Sequence, residues 1–263
     1  MQVRWEYLTP VDFKALAKNE KLCILPIGSL ERHGEHLPFG TDGLVAHAIA
    51  VRAAEQEPCV VFPPYWFGQL HEAACFTGTI NFDPRLLLEM LETLLDQIAK
   101  NGFEKILILN GHGGNDHFLK YFAMSQCDRE VDYTLYVGDA QGERSKAIKW
   151  ETEGGHADEK ETSMMMAVAP DTIRMDNQPF KEPIEPLHHT SSLGAYTGYW
   201  WYAKFPEHVS GCPSLASREK GEKAMEAAAA DVAEIIRKIK ADTLTPSLRK
   251  EFYKRLRGVK KGE

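Results

Sequence analysis

Blocks of apolar and polar positions alternate along this chain and predict strands and helices in turn. Residues 21–27 (KLCILPI) form a compact apolar run closed by Gly28, which reads as a buried strand. Residues 58–64 (PCVVFPP), 104–109 (EKILIL) and 131–137 (VDYTLYV) read as three more. Thr9-Pro10 opens a short helix, with Thr as N-cap and Pro at the first helical position. Thr41 or Asp42 caps another that reaches about Glu57, with Leu44, Val45, Ala48 and Ile49 on one face. After Asp83-Pro84, a stripe of Leu87, Met90, Leu91, Leu94, Leu95 and Ile98 marks the clearest helix, and Gly102 stops it. A helix also follows the Gly-rich turn at 110–115. Residues 217–241 predict an Ala-rich helix and 246–261 a basic, helical tail, whereas 175–215, rich in Pro, Gly and aromatics, predicts a long loop beside the active site.

Strands alternating with helices predict a mostly parallel sheet covered by helices on both faces. No linker or repeat interrupts the pattern, so residues 1–263 are expected to form one domain, with the basic tail at about 246–263. Length and composition (263 residues, 43% hydrophobic, 26% charged) suit one large soluble domain. A net charge of −7 argues against general nucleic-acid binding. No apolar run reaches the ~18 residues of a membrane span, and the first residues, MQVRWE, lack the apolar core of a signal peptide. Five scattered cysteines without a C-x-x-C pair fit reduced thiols, and with them a cytoplasmic location.

Three polar clusters carry candidate chemistry. In the first, Glu31 and His33 alternate just past a strand, so both side chains point the same way, and Asp42 sits in the first turn of the next helix. In the second, His112 is framed by Gly111, Gly113 and Gly114, which let the backbone turn sharply beside a ligand. The third, HADEKETS at 156–163, leads into an apolar run and places Glu161 in the first turn of a helix. Both histidine-bearing loops fall at the carboxyl ends of strands, where open α/β sheets gather ligands. Carboxylates and imidazoles without thiolate suit Zn²⁺, Mn²⁺, Fe²⁺ or Co²⁺. Two such ions about 3.5–4 Å apart can share a hydroxide and polarise a carbonyl. Spacing alone leaves plainer readings open: solvated loop residues, or a phosphate-cradling turn at 110–115, though that turn lacks the Lys and Ser/Thr of a P-loop.

Taken together, LPIGSLERHGEHLP from Leu25, TD at 41–42, NGHGGN from Asn110 and HADEKETS from His156 resemble the creatininase (creatinine amidohydrolase) family. Weaker matches are FTGTI from Phe76 and GCPSLASREKG from Gly211, so the motifs run in family order from residue 25 to 221. The resemblance implies a three-layer α/β/α sandwich, two divalent metal ions per chain (Zn first, with Mn, Fe or Co as alternatives), and hydrolysis of amide-type C–N bonds in small, often cyclic compounds. Carried over by position, Glu31, His33, Asp42 and His112 match metal ligands, with Asp42 as the bridge. Creatininase proper has Glu where this chain has Gly114, so the fifth ligand falls to Glu161 of the E-T-S motif, which many relatives use instead. His156 matches a residue that moves protons during ring opening; its alternative is a group hydrogen-bonded to a carboxylate ligand.

Departures from the pattern bear on substrate. The usual H-G-P-H reads H-G-E-H, which brings Glu35 near the site, and Gly113 replaces a substrate-side Tyr. Creatinine is therefore not the expected substrate. Glu35 and His71, with Glu72 and Asp139, suit polar recognition of a polyhydroxylated ring, Gly113 lies on the substrate side, and Trp200 and Trp201 offer flat walls. C–N hydrolysis leads. Ring opening of a cyclic polyol ketone, as in dehydro-inosose hydrolases of the family, is the alternative, and a non-catalytic binding protein on the same fold the second. The family resemblance also implies a small-molecule substrate and a homo-oligomer, often a hexamer.

Overall fold

A computed structural model describes residues 1–178, 186–187 and 190–261. The expected long loop at 175–215 and the basic tail lie partly outside the described residues, at 179–185, 188–189 and 262–263. Four strands, β1 (Leu22–Ile27), β2 (Val60–Val61), β3 (Lys105–Asn110) and β4 (Thr134–Asp139), form one sheet in the order β2-β1-β3-β4, every pair parallel. The helices are α1 (Pro10–Glu20), α2 (Thr41–Gln56), α3 (Pro84–Lys100), α4 (Asn115–Ser125), α5 (Glu143–Lys146), α6 (Glu159–Val168), α7 (Trp200–Lys204), α8 (Arg218–Ala241) and α9 (Leu244–Lys261).

The two-residue period of the strands sorts the core into two layers. Leu22, Ile24, Leu107 and Leu109 pack with α2, α6 and α8, where Ile49, Met164, Met165, Met225, Val232 and Ile236 are buried. Cys23, Leu25, Ile27, Ile106 and Ile108 face the other way, against Leu16 of α1, Leu91, Leu95 and Ile98 of α3, and Leu119 and Phe122 of α4. The result is the α/β/α sandwich, its sheet wholly parallel among the described residues. Helix starts follow the cap chemistry: Thr9, Asp83, Asp158 and Ser217 each accept a backbone N–H of the first turn, an arrangement that contributes ~1 kcal/mol per helix.

Two expectations need correction. The run at 58–64 forms only a two-residue strand, because prolines at both ends deny the sheet their N–H groups. Neither Thr41 nor Asp42 caps α2. The N-cap is Gly40, without a side-chain bond, since Thr41 Oγ1 donates to the Pro38 carbonyl and the Asp42 carboxylate turns to side-chain partners. No described helix is long and apolar enough to cross a membrane.

Candidate active site

Chain connections leave β1 toward one edge of the sheet and β3 toward the other, so the strand order reverses between these two neighbours. A crevice opens at the carboxyl ends of strands at such a point. Ser29, Glu31 and His33 follow β1, and His112 follows β3. A Cβ on Gly28 would fall on the backbone of Gly43, so glycine lets the start of α2 close onto the end of β1 and brings Asp42 beside Glu31.

The side chains form one connected, buried cluster. Ser29 Oγ donates to Asp42 Oδ2 at 2.6 Å and lies 3.1 Å from Glu31 Oε1. His33 donates Nδ1–H to the Glu31 carbonyl (3.1 Å), leaving Nε2 3.0 Å from Asp42 Oδ1 and 3.7 Å from Glu161 Oε2. His112 donates Nε2–H to the Gln69 carbonyl (2.9 Å), leaving Nδ1 2.8 Å from Glu31 Oε1 and 3.0 Å from Asp42 Oδ2. Asp42 thus presents one oxygen to each histidine. Glu161, in the first turn of α6, accepts the Ala157 N–H at 2.6 Å. Glu31, Asp42 and His112 form one group whose ligand-type atoms lie within 4.8 Å of one another, His33, Asp42 and Glu161 form a second, and Glu31, His33 and His156 a third.

Electrostatics follow from packing three carboxylates around two imidazoles. Burial disfavours the His33 cation, but Asp42, then Glu161 and Glu31, raise its pKa to about 10. His112 is likewise driven well up, with Glu31 and Asp42 outweighing burial. Burial opposes the Glu31 and Asp42 anions too, yet the charge of His112 and the hydrogen bonds of His112 and His208 hold Glu31 well below the usual carboxylate range, and His33 and His112 lower Asp42. Burial pushes Glu161 up to about 7, helped by Asp158 and Asp42 and opposed by His33. The cluster therefore demands positive charge at its centre.

His156 stands beside it, its ring 4.3 Å from those of His33 and His208. It donates Nε2–H to the Arg32 carbonyl at 2.9 Å. Burial, then the charge of His33, hold its pKa down to about 3, so the imidazole is neutral. His208 accepts the Trp201 indole N–H on Nδ1 (2.9 Å), which leaves its Nε2–H to donate to Glu31 Oε2 (2.8 Å). Above the cluster is a cavity of about 520 Å³, walled by Gln69, Glu72 and Asp116 and by Tyr196, Trp200 and Trp201.

The structure thus gathers Glu31, His33, Asp42, His112, Glu161 and His156 at one place, and His71, Gly113, Trp200 and Trp201 line the cavity above them. Glu35 does not. Its side chain is 54% exposed and paired with Arg32 at 2.6 Å, because Glu31 and His33 take the inward positions of that turn. Asp139 also stands outside, exposed near Lys146. Ser29 and His208 escaped the sequence reading. Ser29 shares the alternation of Glu31 and His33 and was open to the same argument. His208 sits in a segment without periodicity, just before the Gly211 motif.

A family model described as creatinine amidohydrolase matches residues 6–236. The chain is 26% identical to a 3-dehydro-scyllo-inosose hydrolase of Thermotoga maritima, over 86% of this chain and 79% of that protein. It is also 26% identical to a creatinine amidohydrolase of Pseudomonas putida, over 88% and 94% respectively. A solved structure from Bacteroides fragilis NCTC 9343, described as a candidate creatinine amidohydrolase, superposes with a TM-score of 0.79 at 27% identity, covering 93% of this chain and 99% of that one. Creatininase structures sharing the fold are described in Zn–Zn and Mn forms. Family model, curated relatives and solved structures agree over most of the length, and the chain belongs to the creatininase family of hydrolytic enzymes.

Proposed function

We propose that the chain is a two-metal hydrolase in which Glu31, Asp42 and His112 hold one divalent ion and His33, Asp42 and Glu161 the other. The observation that carries this reading is Asp42, whose two oxygens each face a different histidine. The donor set fits. It is carboxylate and imidazole without thiolate, and both histidines tie one N–H to a backbone carbonyl, which turns the other ring nitrogen inward, where an ion would replace its proton. Such ions, when bound, acidify a water toward neutral pH and polarise the scissile carbonyl.

The chain's own residues supply the rest. Because the Arg32 carbonyl holds the His156 Nε2 hydrogen, Nδ1 carries the lone pair. Nδ1 takes the proton released as water attacks and delivers it to the leaving atom. Tyr196, Trp200 and Trp201 provide flat surfaces for a small ring. The reaction is hydrolysis of an amide-type C–N bond in a small, cyclic substrate. A second reading, ring opening of a cyclic polyol ketone, is supported by the polar wall of Gln69, Glu72 and Asp116 and by the Thermotoga relative. There the leaving atom is carbon, and the same nitrogen protonates it.

Metal per chain, measured by elemental analysis on protein purified without chelator, tests the centre. About two ions are expected, with at least one lost in Asp42→Ala. Protein that holds none and takes up neither Zn²⁺ nor Mn²⁺ overturns both readings. Turnover of inositol-derived ketones without turnover of cyclic amides or formamides replaces the first reading with the second.

A further inference from the structure

At the bottom of the cavity both oxygens of Glu31 and both of Asp42 are engaged, whereas Glu72 on the wall is only half satisfied. Gln69 is a bracket: its Oε1 accepts the His71 N–H at 2.9 Å, and its Nε2 donates to Glu72 Oε2 at 2.8 Å and to the Gly114 carbonyl at 2.9 Å. That fixes one oxygen of Glu72. The other, Oε1, accepts no hydrogen bond from any described residue. His112 Nε2 lies 3.7 Å away and has given its hydrogen to the Gln69 carbonyl. The Glu72 side chain is 17% exposed and lines the cavity. Gly114 makes the room, since a Cβ there would fall on Glu72 Oε1 and on His112 Nε2. Among the described lining residues there is no Lys or Arg, while Asp116 adds a second carboxylate on the same side.

A half-buried carboxylate with one oxygen held and one open is costly to desolvate unless the incoming molecule brings a donor. The geometry points to Glu72 as the specificity-determining group of this site. Its Oε1 accepts hydrogen bonds from hydroxyl or N–H groups of a neutral or cationic substrate, and its charge bars anionic ones. The proposal rests on the two-metal reading of the cavity floor. It narrows substrate class to small rings bearing donors and excludes phosphorylated or carboxylated compounds from good fit.

Four nearly isosteric hydroxamates test it on metal-loaded protein: β-alanine, 3-hydroxypropano-, butyro- and succinic monohydroxamate, with tails ending in ammonium, hydroxyl, methyl and carboxylate. Dissociation constants by calorimetry are expected in that order of increasing weakness, the ammonium tail binding at least about tenfold tighter than the carboxylate, as a charge pair near a protein surface allows. Glu72→Gln, which keeps the Gln69 contact and changes no proposed ligand, should retain its metal and compress the ammonium-to-carboxylate ratio to within about threefold. Equal binding of all four to wild type, or an unchanged ratio in Glu72→Gln, overturns the proposal while butyrohydroxamate binding leaves the metal reading standing. If no hydroxamate binds and elemental analysis finds no metal, the floor reading fails and this one with it.

Discussion

On the floor of the cavity, Glu31, His33, Asp42 and His112 are buried, each partnered by at least two groups and attached within a few residues to the end of β1, the end of β3 or the start of α2. On the aromatic wall, Tyr196 is 78% and Trp200 37% exposed, and the short helix α7 that carries Trp200 buries no residue. The floor is held by the sheet; this wall reaches it through Trp201, which bonds His208 and packs on His156. Such a contrast places reaction chemistry on a preorganised base and substrate choice on a part that can change without unfolding the rest. His208 joins the two, reaching Glu31 below and Trp201 above.

The largest expected effect of a floor residue that spares the metal is at His156. His156→Ala should keep its metal and fall in turnover by about 10²–10⁴-fold, the usual worth of a positioned proton carrier. Steady-state kinetics beside elemental analysis decide it. Retained turnover, or loss of metal, would make His156 a structural neighbour rather than the proton carrier.

His208 tests the join. His208→Gln removes the imidazole that orients Glu31, and an outer-shell partner of this kind sets metal affinity by about 10–100-fold. Equilibrium dialysis should show weaker binding in His208→Gln, and in Trp201→Phe a smaller loss in the same direction, since the indole N–H only fixes the tautomer of His208. Equal affinity in all three proteins would mean that wall and floor are uncoupled.

What was legible in the sequence divides along the same line. β1 and β3 announced themselves as apolar runs, and Asp42 and His112 stood at a helix start or a glycine turn tied to them, so their convergence followed from the parallel topology, whereas Glu161, on α6 beyond β4, was reached only through the family motif. The cap at Thr9 and the helix starts near Asp83 and Ser217 were visible because such signals are local. Glu35 was placed near the site by its position in the family motif, but the chain turns at Gly34, with φ of +61°, and the side chain leaves for Arg32. His208 and the bracket of Gln69 depend on contacts between segments 177 and 45 residues apart, which no local period encodes.

A pH prediction sharpens the floor. In metal-free protein His33 titrates at about 10, above its unfolded value near 6.5, and His112 is raised too. The folded state then binds more protons than the unfolded one, so this stability is complete below about pH 6.5 and lost as pH rises toward 10. The slope is at most ~1.4 kcal/mol per pH unit for each group. Urea unfolding of chelated protein at pH 7 and 9 should show the loss, and metal-loaded protein should not, because the ions replace those protons. A pH-independent chelated protein would contradict the charge demand of the cluster.

The smallest effect belongs to the wall. Trp200 touches Trp201 edge-on at 5.4 Å and donates its indole N–H to the Tyr196 hydroxyl at 3.1 Å, and neither contact is a hydrogen bond to the floor. Trp200→Ala should therefore leave metal content and kcat unchanged and raise KM about three- to tenfold, the worth of one aromatic face against a ring. Trp201, only one residue on, differs in kind because its N–H reaches Glu31 through His208. If Trp200→Ala instead lowered kcat with KM intact, the exposed half of the wall would be part of the reacting geometry, and the division between held floor and adjustable wall would have to be drawn one residue further out.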